Sequence, residues 1–450
     1  MDDGGRLMAI DTTAESTDLL QQLIRNACVN DGRIASGAEI RSVDLLQQFL
    51  GDTGLDVERF EPQPGRASLV ARIEGSDPEA PSLLLMGHTD VVPVNPDGWS
   101  RDPFSGDLVD GFVWGRGAVD MLNITASQAV AFRNLAKSGF TPKGTLIYLA
   151  VADEEALGTW GAKYLVEHER DAVFADYVLT ESGGYQMPSP EGIRLPVLTA
   201  EKGTFWSKMR IHGTPGHGSQ PFRTDNAVVT AAEIVRRIHD YQPDTTIHDV
   251  WRKFVEGMHY PPEIAAAFLD PDGLRESLSE LPLGMSRLVH ACTHTTFSPN
   301  VMHGGTKTNV IPDVVELEID IRTLPGQTGD EVRAMLDDVL GDLADRVELE
   351  SNDDPSTASP IDTPLWDSLA RVTGRLVEGS ALVPFLMVGG TDNRFFRRAG
   401  SVGYGFGLFS QNLSFEDYAT MFHGNDERVD VDSLGLSEAL WEAVAHDLLD

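Results

Sequence analysis

LIYLAVADEEALG, residues 146–158, sets the first constraint on the fold. Leu146 to Ala152 is an unbroken apolar run containing Val, Ile and Tyr, which predicts a strand buried in a parallel sheet. Asp153, Glu154 and Glu155 follow where the chain leaves that sheet. Like charges crowded beside an apolar core repel one another and lose hydration, so they need compensation. A solvated loop, or the acidic first turn of a helix, is one answer. A metal site is the other.

Working outward, strands and helices alternate. SLVARIEG (68–75), SLLLMG (82–87) and DYVLTE (176–181) read as further strands, with helices over Ile124–Ser138 and Thr159–Glu169. Upstream, Ser16 or Thr17 is placed to cap a helix running to about Cys28, and a second amphipathic helix is expected from about Ala38 to Thr53. This alternation predicts an α/β protein with a mainly parallel central sheet. Past Lys202 the pattern changes. GTFWSKMRIHG (203–213) alternates like a half-exposed strand, and NAVVTAAEIVRRIHDY (226–241) like an amphipathic helix. A polar, Pro-containing stretch runs from Gln242 to Pro282, followed by strands in 293–305 and 313–324 and a helix over Val332–Leu343. Apolar strands resume in SALVPFLMVGG (380–390) and GYGFGL (403–408). The expected layout is a catalytic domain split into 1–202 and 326–450, with an α+β domain, 203–325, inserted between its halves.

At 450 residues two domains are the default. Lys plus Arg is 35 against 70 Asp plus Glu, a net charge of −35, which offers no basic stripe and argues against a nucleic-acid partner. Cys28 and Cys292 match neither disulfide nor zinc spacing and read as free thiols. The N-terminus lacks the apolar core of a secretory signal, and no run of 18 apolar residues predicts a membrane span. Together these point to the cytoplasm and to no membrane partner.

Apolar strands repeatedly end in a potential ligand. SLLLMGHTDVVP (82–93) puts His88 and Asp90 directly after a strand, where residues two apart point the same way, so Asp90 could accept the second ring proton of His88. GRGAVDML (115–122) ends a Gly-rich turn in Asp120, DYVLTESGG (176–184) ends a strand in Glu181, and YATMFHGNDERVD (418–430) offers His423 in a turn. Singly, each is a common structural feature. Together they matter more, because the functional crevice of an open parallel sheet lies beyond the carboxyl ends of its strands. His88, Asp120, Glu155, Glu181 and His423 are nitrogen and oxygen donors suited to paired divalent zinc, and no cysteine accompanies them.

GHTDVVP, GRGAVDM, DEE, GTPGHGS, NVIP, IDIRTLPG, GGTDNRFF and HGNDERV, in that order, resemble the co-catalytic zinc peptidases and deacylases. That family includes aminoacylase, acetylornithine deacetylase, succinyl-diaminopimelate desuccinylase, and the glutamate and Gly-X carboxypeptidases. The resemblance spans about residues 16–450. It implies two zinc ions, with cobalt or manganese as substitutes. One would be held by His88, Asp120 and Glu181, the other by Asp120, Glu155 and His423, with Asp120 bridging. It implies that Asp90 orients His88, that Glu154 is the general base, and that His217 in GTPGHGS donates to the oxyanion, often from a partner subunit. Asn309 and Arg322 resemble the pair that grips a substrate's free carboxylate, with Gly390, Thr391 and Asp392 in a substrate-facing loop. The inserted domain would be a ferredoxin-like lid that also serves homodimer formation.

The expected reaction is hydrolysis of an amide next to a residue with a free carboxylate, in a small peptide or an N-acyl amino acid. A dipeptidase or aminopeptidase on the same scaffold is the alternative, and a non-catalytic metal-binding relative the more distant one. Two departures from the family pattern stand out: Leu122 and Asn123 follow Met121 where Lys-Gly is frequent, and Leu157 occupies a position often held by glycine.

Overall fold

The computed structural model describes residues 13–450 and resolves them into two compact units. The first runs to Thr199 and returns over Ser359–Pro384 and Thr391–Asp450; the second is Ala200–Ala358 with Phe385–Gly390.

In the first unit the run that opened the reading is the strand Leu146–Val151, buried throughout. Hydrogen-bonded neighbours follow the order Val57–Gln63, Arg66–Ile73, Leu146–Val151, Leu83–His88, Tyr177–Thr180, Val402–Gly405 and Gly192–Glu201. The four strands from Leu146–Val151 to Val402–Gly405 are mutually parallel, and antiparallel strands flank them. A parallel sheet needs both faces covered. On one face Leu84, Met86, Ile147, Leu149 and Val178 pack against Ala162, Leu165 and Phe396. On the other, the Tyr148 hydroxyl donates to the carbonyl of Thr125 (3.1 Å) in the helix Leu122–Ser138. Trp441 Nε1, from the helix Val431–Leu449, donates to Ser127 Oγ (3.0 Å) in turn.

Register then places the polar residues. His88 lies opposite Val151, and Leu85 opposite Leu179, so three strands finish at the same edge. His88, the Asp153–Glu155 turn and Glu181 all emerge there.

Ser16 and Thr17 do not cap a helix. Both lie inside the helix Thr13–Asn26 and are buried, with Ser16 Oγ donating to Glu438 Oε2 (2.6 Å). Here the hydroxyl serves a tertiary contact rather than a helix end.

The second unit is a β-α-β-β-α-β arrangement. Its four-stranded antiparallel sheet has the order Thr296–Gly304, Val314–Thr323, Gly203–His212 and Val347–Asp354. Phe205, Met209, Ile211, Val315, Leu317, Ile319 and Ile321 point to one face, which the helices Ala227–Asp240 and Gly329–Leu340 cover. A capping box between Thr328 and Glu331 starts the second helix. This helix and the strand Val347–Asp354 belong to the same sheet packing, so the unit reaches Ala358 and not the expected boundary at 325.

The polar, Pro-containing Gln242–Pro282 stretch is structured. It holds the helices Asp249–Gly257, Pro262–Phe268 and Leu274–Leu278. Trp251, Phe254, Val255 and Met258 recur at helical spacing and are buried, and Trp251 Nε1 donates to the carbonyl of Phe268 (2.9 Å). A further helix, Leu283–Thr293, is pinned at its carboxyl end by Lys202, whose Nζ donates to the carbonyls of Ala291 (2.9 Å) and His294 (2.8 Å). Among the described residues no helix is long and apolar enough to cross a membrane.

Candidate functional site

The acids and imidazoles at the sheet edge of the first unit converge on Asp120. His88 Nε2 lies 3.3 Å from Asp120 Oδ1, and His423 Nε2 lies 3.0 Å from Asp120 Oδ2. The two carboxylate oxygens therefore face different histidines. His423 Nε2 is also 3.3 Å from Glu155 Oε2, while His88 Nε2 is 3.9 Å from Glu181 Oε2 and 4.0 Å from Glu154 Oε2. Donor atoms of His88, Asp120 and Glu155 lie within 4.8 Å of one another, as do those of His88, Glu154 and Glu181. Glu155 Oε1 is buried with no hydrogen-bond partner.

The electrostatics follow from this crowding. Burial pushes Glu154 and Glu181 well above the usual carboxylate range and Glu155 up to about 7, and neighbouring acids add to each effect. Burial would raise Asp120 as well, but its bonds to His423 and His88 outweigh it and hold this carboxyl below its ordinary value. The hydrogen bonds to Asp120 and Glu155 raise His423 to about 10. Burial opposes the same rise at His88, yet Asp120, Glu154 and Glu181 carry it well above its normal value. Acids that gather positive charge this strongly, with nitrogen and oxygen donors and a spare buried oxygen on Glu155, suit divalent cations.

Asp90 meets His88 differently from the expected side-chain contact. Its main-chain oxygen, 2.9 Å from His88 Nδ1, accepts the ring proton, while its carboxylate stands 3.7 Å away. This still leaves Nε2 as the outward lone pair. The Asp90 carboxylate is turned to other donors: Asn30 Nδ2 (2.8 Å), the Glu154 N–H (3.2 Å) and the Glu155 N–H (3.1 Å). It braces the turn carrying both glutamates.

The three adjacent carboxylates thus divide. Asp153 turns away to Arg66 Nη1 (3.3 Å), Asn30 Nδ2 (3.2 Å) and the Trp160 N–H (2.9 Å), in a buried network that includes Glu39, 2.6 Å from Arg66. Glu154 and Glu155 turn towards the histidines. Asp153 and Leu157, at φ 69° and 76°, take left-handed backbone at the two ends of this turn, which explains why glycine suits position 157.

Two contributors escaped the reading of the sequence. Glu427, fully buried, accepts from Arg116 Nη1 (2.7 Å) and from the N–H groups of Gly117 (3.0 Å), Val119 (2.7 Å) and Asp120 (3.0 Å). Arg116 Nη2 then donates to the carbonyl of Gly424 (2.9 Å), tying the Asp120 loop to the His423 loop. Asp392, expected in the substrate-facing loop, is buried to 2% exposure, with neither oxygen hydrogen-bonded. Burial lifts its pKa to about 7. A Cβ at Gly158 would collide with its Oδ1. The signals for Glu427 and Arg116 lay inside HGNDERV and GRGAVDM, but their pairing is not local in the chain.

Leu122 and Asn123, where the chain departs from the family pattern, are both buried at the start of the helix behind Asp120.

The remaining candidates lie in or at the border of the second unit. His217 is exposed on a two-residue strand paired with Val310–Ile311, and its Nδ1 accepts from the Ser219 N–H (3.2 Å). A backbone N–H can only donate, so the neutral ring keeps its proton on Nε2. Asn309 adjoins it, its carbonyl accepting the Gly218 N–H (2.9 Å). Arg322 is the last residue but one of the strand Val314–Thr323. Gly390 is the last residue of the second unit, and Thr391, in the first, accepts the Asn393 N–H (3.2 Å) through Oγ1.

An open α/β sheet with acids and imidazoles clustered at its carboxyl edge is the layout of a metal-dependent hydrolase. Residues 84–447 match the family described as Peptidase family M20/M25/M40, and the chain belongs to that family. It is 28% identical over 425 residues to the N-fatty-acyl-amino acid synthase/hydrolase PM20D1 of Xenopus tropicalis, covering 90% of this chain and 81% of that one. It is 26% identical over 394 residues to human aminoacylase-1, covering 86% and 85%. In fold it is similar to the M20 family metallo-carboxypeptidase Sso-CP2 of Sulfolobus solfataricus, with a TM-score of 0.71, 17% identity and coverage of 96% and 99%. The protein is therefore an enzyme, a metallopeptidase or amidohydrolase.

Proposed function

We propose that the chain hydrolyses the amide of an N-acyl amino acid, or the last bond of a small peptide, using two zinc ions at the first-unit cluster. The carrying observation is the division of Asp120, with one oxygen towards His88 and the other towards His423. His88, Asp120 and Glu181 would hold one ion, and Asp120, Glu155 and His423 the other. Bound there, the ions would supply charge that polarises the scissile carbonyl and acidifies a water.

In this reading Glu154 takes the proton from that water and returns it to the departing amine. The turn braced by Asp90 holds Glu154 in place, and Asp90 fixes the tautomer of His88 through its main-chain oxygen. His217, with its proton on Nε2, donates to the oxyanion. Asn309, Arg322, Gly390 and Thr391 receive the substrate carboxylate, for which the planar Arg fork is suited. The second unit acts as the lid and as the surface through which two copies pair. The names of PM20D1 and aminoacylase-1 support the N-acyl amino acid as the substrate class.

The test is hydrolysis of a panel of N-acyl amino acids, N-blocked dipeptides and free dipeptides by wild type and Glu154→Gln, with bound metal measured in both. The expected result is turnover of the blocked substrates, a loss of about a thousandfold in the variant, and equal metal content. Preference for free dipeptides would move the reading to a dipeptidase. Unaltered turnover in the variant would remove Glu154 as base.

A further inference from the structure

Arg322 does not stand alone on its strand. The strand alternates strictly, with Leu317, Ile319 and Ile321 inward and Glu318, Asp320 and Arg322 on the opposite face. Asp320 and Arg322 are two residues apart and so share that face. Asp320 Oδ1 accepts from Arg322 Nε (2.7 Å), and Oδ2 accepts from Arg322 Nη2 (3.1 Å). On the neighbouring strand Thr204 pairs with Arg322 and Ser207 with Ile319, which sets Trp206 across from Asp320. Trp206 Nε1 donates to the same Asp320 Oδ1 (3.0 Å), and its ring centre lies 5.6 Å from the Arg322 guanidinium carbon.

Three N–H donors therefore converge on one carboxylate, and the indole lies beside the cation. A solitary ion pair on an exposed sheet contributes little and holds no fixed geometry. This one is closed in a ring of contacts. Asp320 takes the Nε–Nη2 edge of the guanidinium, whereas Nη1 bonds to none of the described residues. The end-on edge, Nη1 with Nη2, is left for a second carboxylate, and that edge also binds bidentately.

We propose that Asp320 and Trp206 are a positioning pair that fixes Arg322 in the orientation that receives the substrate carboxylate. This rests on the reading of Arg322 as the carboxylate-binding residue. An arginine side chain has many rotamers to lose on binding, and ordering it beforehand is worth up to about tenfold in affinity. Asp320 and Trp206 touch no reacting atom in this account, so they act on KM and leave the chemical step alone.

The experiment compares Asp320→Ala, Asp320→Asn, Trp206→Phe, Arg322→Ala and the Asp320→Ala/Arg322→Ala pair. Each is assayed on an N-acyl amino acid and on the corresponding neutral carboxamide. Asp320→Ala is expected to raise KM for the free acid by about tenfold, with kcat within about twofold and no comparable rise for the carboxamide. Trp206→Phe, which keeps the ring but loses the N–H, should give a smaller rise of the same kind. In the Arg322→Ala background the Asp320 substitution should add nothing. If Asp320→Ala does not fold, Asp320→Asn carries the test, since it keeps the shape and one acceptor oxygen.

A KM raised by Arg322→Ala but untouched by Asp320→Ala would overturn the positioning pair and leave the carboxylate reading standing. A KM lowered by Asp320→Ala would overturn it too, making Asp320 a competitor for the guanidinium. A KM for the free acid unaltered by Arg322→Ala would remove the carboxylate reading itself, and the pair with it.

Discussion

The acid cluster of the first unit and the Arg322 face of the second are held by opposite means. Around Asp120 the loops are pinned by buried partners: Glu427 and Arg116 on one side, Asn30, Arg66 and Asp90 on the other. On the Arg322 face the contacts come from two adjacent strands, and Trp206, Asp320 and Arg322 all keep substantial exposure. A set of like-charged groups stays assembled only where surrounding bonds leave no cheaper arrangement. On the exposed sheet face, three contacts from two neighbours hold a single side chain in one orientation. The difference separates a like-charged cluster that needs burial to stay assembled from a single cation that two neighbouring side chains can orient.

The comparison breaks most severely at Glu427. Glu427→Ala would leave Arg116 as a buried, unpaired charge and free three N–H groups of the Asp120 loop. A loss of about 3–5 kcal/mol in unfolding free energy is expected, together with weakened metal retention. Denaturant melts and metal analysis check both, and a variant as stable as wild type would show that the clamp is dispensable.

His217 sits at the other extreme, exposed and locally bonded. His217→Ala should reduce kcat by about a hundredfold to a thousandfold while thermal stability and metal content stay at the wild-type level. Parallel losses of metal and activity would contradict its role as a donor.

Gly158 sharpens the comparison within the buried unit. At φ +66°, with Asp392 against it, a methyl group has no room. Gly158→Ala should cost about 1–3 kcal/mol and reduce turnover, because the turn bearing Glu154 and Glu155 must shift. A crystal structure of the variant with the Glu154–Glu155 turn unmoved would refute this.

Leu157 is expected to give the smallest effect. Its left-handed backbone is strained for leucine, but glycine loses more entropy on folding, so Leu157→Gly should change stability by less than about 1 kcal/mol. A strongly destabilised variant would mean that the half-exposed leucine side chain packs more tightly than its exposure implies.

The limits of reading the chain follow the same division. Strands ending in His88, Glu155 and Glu181 were legible because burial on both sheet faces imposes an apolar run, and the break in that run marks the edge. The helices within Gln242–Pro282 were not, since short helices separated by prolines look polar on average although their apolar residues recur at helical spacing. The closing strand of the second unit was missed because Val347–Asp354 alternates weakly and is recognised only by its pairing with Gly203–His212.

From its sequence alone this protein's α/β class and the donor residues at its strand ends could be read, because local hydrophobic periodicity and side-chain chemistry are written along the chain. Only the tertiary structure decided which oxygen of Asp90 meets His88, that Glu427 and Arg116 clamp the Asp120 loop, and that Asp320 and Trp206 brace Arg322. Those contacts depend on register, turn geometry and pairings across as many as 311 residues, which no local pattern encodes.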